Sequence, residues 1–267
     1  MLKKDDFILL LSNKRTYLVQ KAHGKLHTEF GVIDLKKIKK YGQTIRTHKG
    51  VAFVAVQPTM SDMMRKLKRM PQVVTAKDAA AIMAHVGVRP GWKCIDAGAG
   101  SAFLAIMIGN AVGPRGSVVS YENNKKFAEV AKHNVKKCGL EKIVNIKNKP
   151  LKKMTEKHLD LVTLDVRDAE QYVEKAFRSL KPGAWLVVYS PYIEQVISVR
   201  KRMQEAGFAH ITTKEIIERE WQSDYFSRPK NRMLGHTGFL TFARKAIKRK
   251  MRKKSTKSKS AKKRAKS

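Results

Sequence analysis

From Asp78 onward the sequence alternates between two hydrophobic periods. The runs "KCIDAG", "GSVVSYE", "IVNIK", "LDLVTLDV" and "AWLVVYS" are short and rich in apolar or β-branched residues. Segments 102–112, 124–138, 168–180 and 193–206 fall among them with helical spacing. "DAAAIMAHVGV" precedes the first run as a further helix, with Asp78 near its start and Gly87 near its end. Strands separated by helices of this length cannot pair as hairpins. They are driven to a mostly parallel sheet with helices on both faces, an α/β, Rossmann-like fold. The last two runs, "HITTKEIIEREW" and "TGFLTFARK", have no helix between them and read as two long strands at an antiparallel edge.

The first part of the chain lacks this alternation. "FILLLSN", "RTYLVQ" and "TIRTHKGVAFVAVQP" read as short strands with polar turns, which predicts a small β-barrel over 1–58. Met63, Met64, Leu67 and Met70 at helical spacing predict a linker helix and connection over 59–77. The α/β domain then covers 78–246. Residues 247–267 are Lys/Ser/Arg-rich and read as a basic disordered tail.

Within this frame the stretch "KCIDAGAGSAF", Lys93 to Phe103, is the candidate site. An apolar run ends on Asp96 and turns through Gly98, Ala99, Gly100 and Ser101. It follows the first strand of the predicted sheet, and such sheets bind ligands outside the carboxyl ends of their strands. The next run ends in Glu122, placed to accept ribose hydroxyls. A dinucleotide fingerprint would have a third glycine where Phe103 stands, for close packing around a pyrophosphate. Its absence, with an acid just before the first glycine, favours a nucleoside without pyrophosphate over a dinucleotide or a plain strand–helix turn. S-adenosylmethionine fits: its sulfonium and amino group favour a carboxylate such as Asp96, and its ribose diol suits Glu122.

The net charge is +35, which implies a polyanionic partner, with nucleic acid the first candidate. Fourteen Lys/Arg residues lie in Arg244–Ser267, so residues 1–243 still carry +21. Cys94 and Cys138 show no metal or redox spacing, and free thiols suit a reducing cytoplasm. The apolar run "FILLL" is too short for a secretory segment, and no run approaches a membrane span. His23 and His27 have no third ligand nearby, so no metal is expected.

Several longer segments occur together: "GKLHTEFGVIDLKKI", "LKRMPQVVTAKDA", "IDAGAGSAFLA", "VVSYE", "LVTLDV", "LKPGAWLVVYSPYIEQV" and "RPKNRMLGHTGFLTFARK". Their combination resembles the TrmI family of tRNA (adenine-N1)-methyltransferases, most of all its archaeal members, over nearly the whole chain except the tail. The resemblance implies an N-terminal barrel, a class I methyltransferase domain, a homotetramer, S-adenosylmethionine as cofactor and T-loop adenines of tRNA as substrate. Carried over by position, Gly98, Ala99, Gly100 and Ser101 line the cofactor, Glu122 holds its ribose, Phe127 adds a contact, and Asp165 is the catalytic acid. Asp165 is also a cofactor neighbour, and Asp168 is the better candidate for capping the following helix.

The sequence departs from the family at four places. Ala102 stands where glycine is usual, and Thr75 where an aromatic is usual. "DVRDAEQ" lacks two prolines after the catalytic strand. Lys149 and Pro150 stand where an acid for the cofactor's adenine amino group is expected. Two alternatives therefore stay open: a catalytically silent tRNA-binding subunit, and a protein isoaspartate carboxyl methyltransferase. Arg228, Lys230, Arg232 and His236, with Trp221, Tyr225 and Phe226 just upstream, form the candidate RNA-binding loop.

Overall fold

The computed structural model describes residues 2–70, 74–223 and 225–246. Six short strands come first: β1 (Phe7–Leu11), β2 (Thr16–Gln20), β3 (Lys25–Thr28), β4 (Gly31–Asp34), β5 (Gln43–Arg46) and β6 (Ala52–Val56). Four of them form an antiparallel sheet in the order β2-β1-β6-β5, and β3 pairs with β4 as a separate hairpin. Ile8, Leu10, Ile33, Leu35, Ile38 and Phe53 are fully buried among them, so both pieces close on one small core. The unit is barrel-like, as expected. The β3–β4 hairpin lies in "GKLHTEFGVIDL", outside the three runs that read as strands in the sequence.

The linker helix is shorter than its apolar spacing predicts. α1 spans only Met60–Arg65, started by a capping box in which Thr59 and Asp62 bond each other's backbone N–H. Beyond it the backbone of Lys68 and Met70 bonds to side chains of distant residues, described below, instead of continuing the helix.

The remaining elements are α2 (Ala76–Val86), β7 (Lys93–Ala97), α3 (Phe103–Val112), β8 (Ser117–Tyr121), α4 (Lys125–Lys137), β9 (Val144–Lys147), β10 (Leu159–Leu164), α5 (Val173–Ser179), β11 (Leu180–Ser190), α6 (Ile193–Ala206), β12 (Phe208–Glu215), β13 (Trp221–Ser223), β14 (Ser227–Pro229) and β15 (Phe239–Lys245). Seven strands make one sheet, in the order β12-β15-β11-β10-β7-β8-β9. β7 to β11 run parallel, while β15 is antiparallel to both β11 and β12. One core cluster holds residues of α2, α3 and α4, including Ile82, Leu104, Ile108 and Val135. The other holds residues of α5 and α6, including Val173, Phe177, Val199 and Met203. The two clusters cover opposite faces, which makes the sheet doubly wound.

Two boundaries differ from the sequence reading. The run "HITTKEIIEREW" is not one strand: β12 stops at Glu215, where its partner β15 begins at Phe239. With no ladder left to join, Ile217 is exposed, and Trp221–Ser223 pair instead with Ser227–Pro229 as a separate hairpin. The helix expected over 168–180 forms over Val173–Ser179, after a 3-10 turn at Ala169–Tyr172. Asp168 makes no side-chain cap there. The tail expected to be disordered lies outside the described residues.

Candidate active site

The site is built where β7, β8, β10 and β11 end. Ala97 pairs with Leu164 in the parallel ladder, so the next residues, Gly98 and Asp165, leave the sheet side by side. The Asp165 N–H still donates to the Ala97 carbonyl, at 2.8 Å. Gly98 has φ +90°, and a Cβ built on it would stand 1.9 Å from the Asp165 carbonyl oxygen. Only glycine permits that approach. The Gly98 and Ala99 N–H groups both donate to the Tyr121 carbonyl, at 3.0 and 3.1 Å, which hangs the loop from the end of β8.

Glu122, just past β8, is pinned by two backbone donors. Oε2 accepts from the Gly100 N–H and Oε1 from the Asn124 N–H, both at 2.9 Å. Each oxygen keeps lone pairs for a ligand's hydroxyls. Phe127 is half-buried in the first turn of α4, and its N–H donates to Asn124 Oδ1, which caps that helix.

Asp96 takes a different position from the one expected. The ladder sets it between Ser120 and Thr163, and it accepts from Ser120 Oγ at 2.6 Å and from Thr163 Oγ1 at 2.7 Å. It is 2% exposed, so it forms the floor of the site and contributes charge from beneath. Burial raises its carboxyl to about 6 against the help of the two hydroxyls, with Glu122 adding to the rise. Ser101 is buried too: Oγ accepts from the Met70 N–H at 2.7 Å, so its side chain faces the linker. Ala102 adopts a left-handed conformation, φ +63°, at the start of α3 and is fully buried in the core beneath that helix. Such a conformation costs a residue with a Cβ about 1–2 kcal/mol.

Asp165 is half-buried, and its carboxyl is pushed up to about 7 by desolvation, then by the charges of Asp96 and Glu122. Among the described residues none of these three carboxylates makes an ion pair. In a chain of net charge +35 that is an unneutralised anionic mouth. It fits a ligand that is itself cationic, as a sulfonium bearing an ammonium group is.

The raised acid also carries a pH signature. The folded state holds a proton near pH 7 that the unfolded chain releases near pH 4. Stability contributed by this group is therefore lost as pH rises from about 4 to 7. Asp165→Asn is expected to leave the melting temperature unchanged at pH 4. At pH 8 it should raise the melting temperature by several degrees. Equal melting shifts at both pH values would mean that Asp165 ionises normally.

Sequence reading missed the wall beside Asp165. Leu164 pairs with Val188, which sets Tyr189 next to Asp165 on the same side of the sheet. The Tyr189 hydroxyl donates to the Thr237 carbonyl. Thr237 Oγ1 in turn accepts from Lys77 Nζ at 2.7 Å, and Lys77 also donates to the Ile216 carbonyl at 2.6 Å and to Asp78 Oδ1 at 2.8 Å. Asp78 is fully buried, and its Oδ2 accepts from Thr75 Oγ1 at 2.8 Å. Adjacent Lys and Asp at the start of an otherwise apolar helix were the available signal.

The candidate RNA-binding residues lie around the β13–β14 hairpin. Arg228 donates to Asn231 Oδ1 at 2.9 Å, and Lys230 pairs with Glu220. Arg232 lines a cleft of about 270 Å³ together with Thr75, Lys77 and Glu218. His236 is a strut: Nδ1 meets Glu215 Oε1 at 2.6 Å and Nε2 meets the Pro191 carbonyl at 2.9 Å, and these bonds raise its pKa. Tyr225 and Phe226 are 91% and 76% exposed, packed edge to face at 4.9 Å.

Residues 52–226 match the family model described as tRNA methyltransferase complex GCD14 subunit. The chain belongs to this family. It is 35% identical over 265 residues to TrmI of Methanocaldococcus jannaschii, a tRNA (adenine(57)-N(1)/adenine(58)-N(1))-methyltransferase, covering 89% of this chain and 94% of that one. It is 31% identical to the tRNA (adenine(58)-N(1))-methyltransferase TrmI of Thermus thermophilus, covering 89% and 96%. Among solved structures, a SAM-dependent O-methyltransferase of Thermotoga maritima superposes with TM-score 0.83 at 34% identity, over 93% and 96% of the two chains. The TrmI structure from Aquifex aeolicus gives TM-score 0.76 at 24% identity, over 92% and 99%, and supports the same fold. The GCD14-family match runs from β6 through β13, so it takes in the whole carboxylate mouth.

Proposed function

We infer that this protein transfers a methyl group from S-adenosylmethionine to N1 of an adenine in the T-loop of tRNA. The observation that carries the reading is the anionic mouth at Gly98, Glu122 and Asp165, set in a chain of this family. When bound, S-adenosylmethionine supplies the electrophilic methyl group. The Gly98–Gly100 loop would hold it by close backbone approach, and Glu122 would accept its ribose hydroxyls. Asp96 adds negative charge from the floor, and Ala99, Ser101 and Phe127 shape the loop and the helix beyond it.

Adenine N1 has its lone pair ready, so no base is needed before attack. Asp165 would accept a hydrogen bond from the target's N6 amino group and push electron density toward N1. As the ring becomes cationic, that carboxylate stabilises the developing charge. The N6 proton grows more acidic at the same time, and a carboxyl poised near neutrality is suited to receive it. The target base must leave the T-loop stack to reach this position. Arg228, Lys230 and Arg232 would track phosphates around the hairpin, with His236 holding the loop. Among the described residues no helix is long and apolar enough to cross a membrane. We take the working form to be a cytoplasmic homotetramer. The deciding experiment is nucleoside mass spectrometry of T-loop adenines after incubating tRNA with the protein and S-adenosylmethionine. N1-methyladenosine is expected. Cofactor and tRNA binding without it would point to a silent subunit.

The tail makes a separate, electrostatic prediction. Residues 247–267 carry twelve Lys/Arg and no acid. Deleting them is expected to weaken tRNA binding and flatten its dependence on salt, because each neutralised phosphate adds to the slope. Methylation at saturating tRNA should persist. Loss of all turnover at saturation would show that the tail does more than supply charge.

A further inference from the structure

Between β12 and β15 the chain leaves the sheet as an arm that carries the β13–β14 hairpin and the candidate RNA-binding residues. The feet of this arm are Ile216, just past β12, and Thr237, just before β15. Lys77 clasps both. Its Nζ donates to the Ile216 carbonyl at 2.6 Å and to Thr237 Oγ1 at 2.7 Å, and its third proton goes to Asp78 Oδ1 at 2.8 Å. An ammonium group has three donors, and all three are filled.

Helix stability does not account for a lysine at this position. Lys77 is the second residue of α2, where the helix dipole disfavours a cation. Its side chain is only 10% exposed, and withdrawing an ammonium group from water is costly unless its partners are well placed. Those partners belong to the two feet of the arm as well as to Asp78.

What the clasp holds is the wall beside Asp165. The Thr237 carbonyl accepts from the Tyr189 hydroxyl, and the β10–β11 register sets Tyr189 beside Asp165. The next residue, Gly238, makes room for the same ring: a Cβ there would stand 2.4 Å from Tyr189 Cζ. On the other side of Thr237, His236 is tied to Glu215 and to the Pro191 carbonyl. The foot of the arm therefore fixes Tyr189, and Lys77 fixes the foot.

We propose that Lys77 is a positioning residue for methyl transfer: by clasping the feet of the RNA-facing arm it holds Tyr189 against Asp165, so that arm and carboxylate meet the target adenine in one fixed geometry. The proposal rests on the reading of Asp165 as the group that meets that adenine.

The test uses the full chain with tRNA and S-adenosylmethionine. Thr237→Val deletes the hydroxyl that Lys77 holds and keeps the carbonyl that holds Tyr189; Thr237→Ser keeps both. Thr237→Val is expected to lower kcat about tenfold or more, since a displacement of about an ångström can cost ~10²-fold in a positioned site. Cofactor binding should stay within about twofold of the parent, and Thr237→Ser should retain most of the parent's turnover. Lys77→Met, which leaves buried Asp78 without its cation, should show the same kinetic change with a lower melting temperature. The pH profile separates positioning from folding. Asp165 is faced by Asp96, Glu122 and Tyr189, and desolvation is the main cause of its raised carboxyl. A loosened Tyr189 ring admits water, so the acid limb of kcat should move to lower pH in Thr237→Val. Unchanged turnover in Thr237→Val would overturn the assignment. So would a loss of turnover with the acid limb unmoved, which would make the clasp only a brace for the fold. A parent that binds cofactor and tRNA yet transfers no methyl group would overturn the reading of Asp165, and the assignment with it.

Discussion

Asp165→Ala is expected to cut N1-methyladenosine formation at saturating cofactor and tRNA by ~10²-fold or more, the usual cost of removing one group that stabilises transition-state charge. Binding of cofactor and tRNA should stay within a few-fold of the parent. The split follows from where the carboxylate acts. Its charge matters most when the ring turns cationic, and an interaction made mainly at that stage lowers turnover more than affinity. Structure should survive, because the fold uses the Asp165 backbone, through its N–H to Ala97 and its carbonyl against Gly98. Single-turnover methylation, with equilibrium binding measured in parallel, separates the two quantities. An alanine variant that turns over normally would remove Asp165 from the chemistry.

Gly98→Ala should instead abolish cofactor binding. The added Cβ would stand 1.9 Å from the Asp165 carbonyl oxygen, and backbone cannot yield as a flexible side chain does. Either the glycine loop or the end of β10 must shift by more than an ångström. The left-handed φ adds about 1–2 kcal/mol of strain. Gly100→Ala is the matched control. Its φ is +51°, also left-handed, but a Cβ there would meet only the Gly98 carbonyl, at 3.9 Å. It should show the strain without the collision and bind within about tenfold of the parent. Calorimetry on both variants, with melting curves to confirm folding, checks the contrast. Equal binding by Gly98→Ala and the parent would make the loop a mere turn.

The sheet was legible because alternating strand and helix periods leave few alternatives, and Glu122 and Asp165 could be placed at strand ends from the runs alone. What could not be read was lateral. Asp96 looked like a ligand contact because nothing in "KCIDAG" shows that Ser120 and Thr163 will flank it. Tyr189 and Lys77 join the site through register and through a loop more than a hundred residues from Lys77, Thr237. The linker helix was overextended because its apolar spacing persists to Met70 while its backbone partners lie elsewhere in the chain. His236 looked free to meet phosphate, and Glu215 and Pro191 turned out to hold it.

Those partners of the linker bear on how the protein can be divided. Asn134 on α4 is fully buried; its Oδ1 accepts from the Lys68 N–H at 3.2 Å, and its Nδ2 donates to the Lys68 and Ser101 carbonyls, each at 2.9 Å. Ser101 Oγ takes the Met70 N–H. A methyltransferase fragment starting at Ala76 would strand these groups in its interior, at about 1–3 kcal/mol for each one left unmatched. The damage would fall on the turn between Gly100 and α3, at the cofactor's edge. The segment 66–70 therefore belongs structurally to the methyltransferase part. A chimera that exchanges barrels between relatives must keep residues 66–70 with the methyltransferase part, and the junction belongs at or before α1.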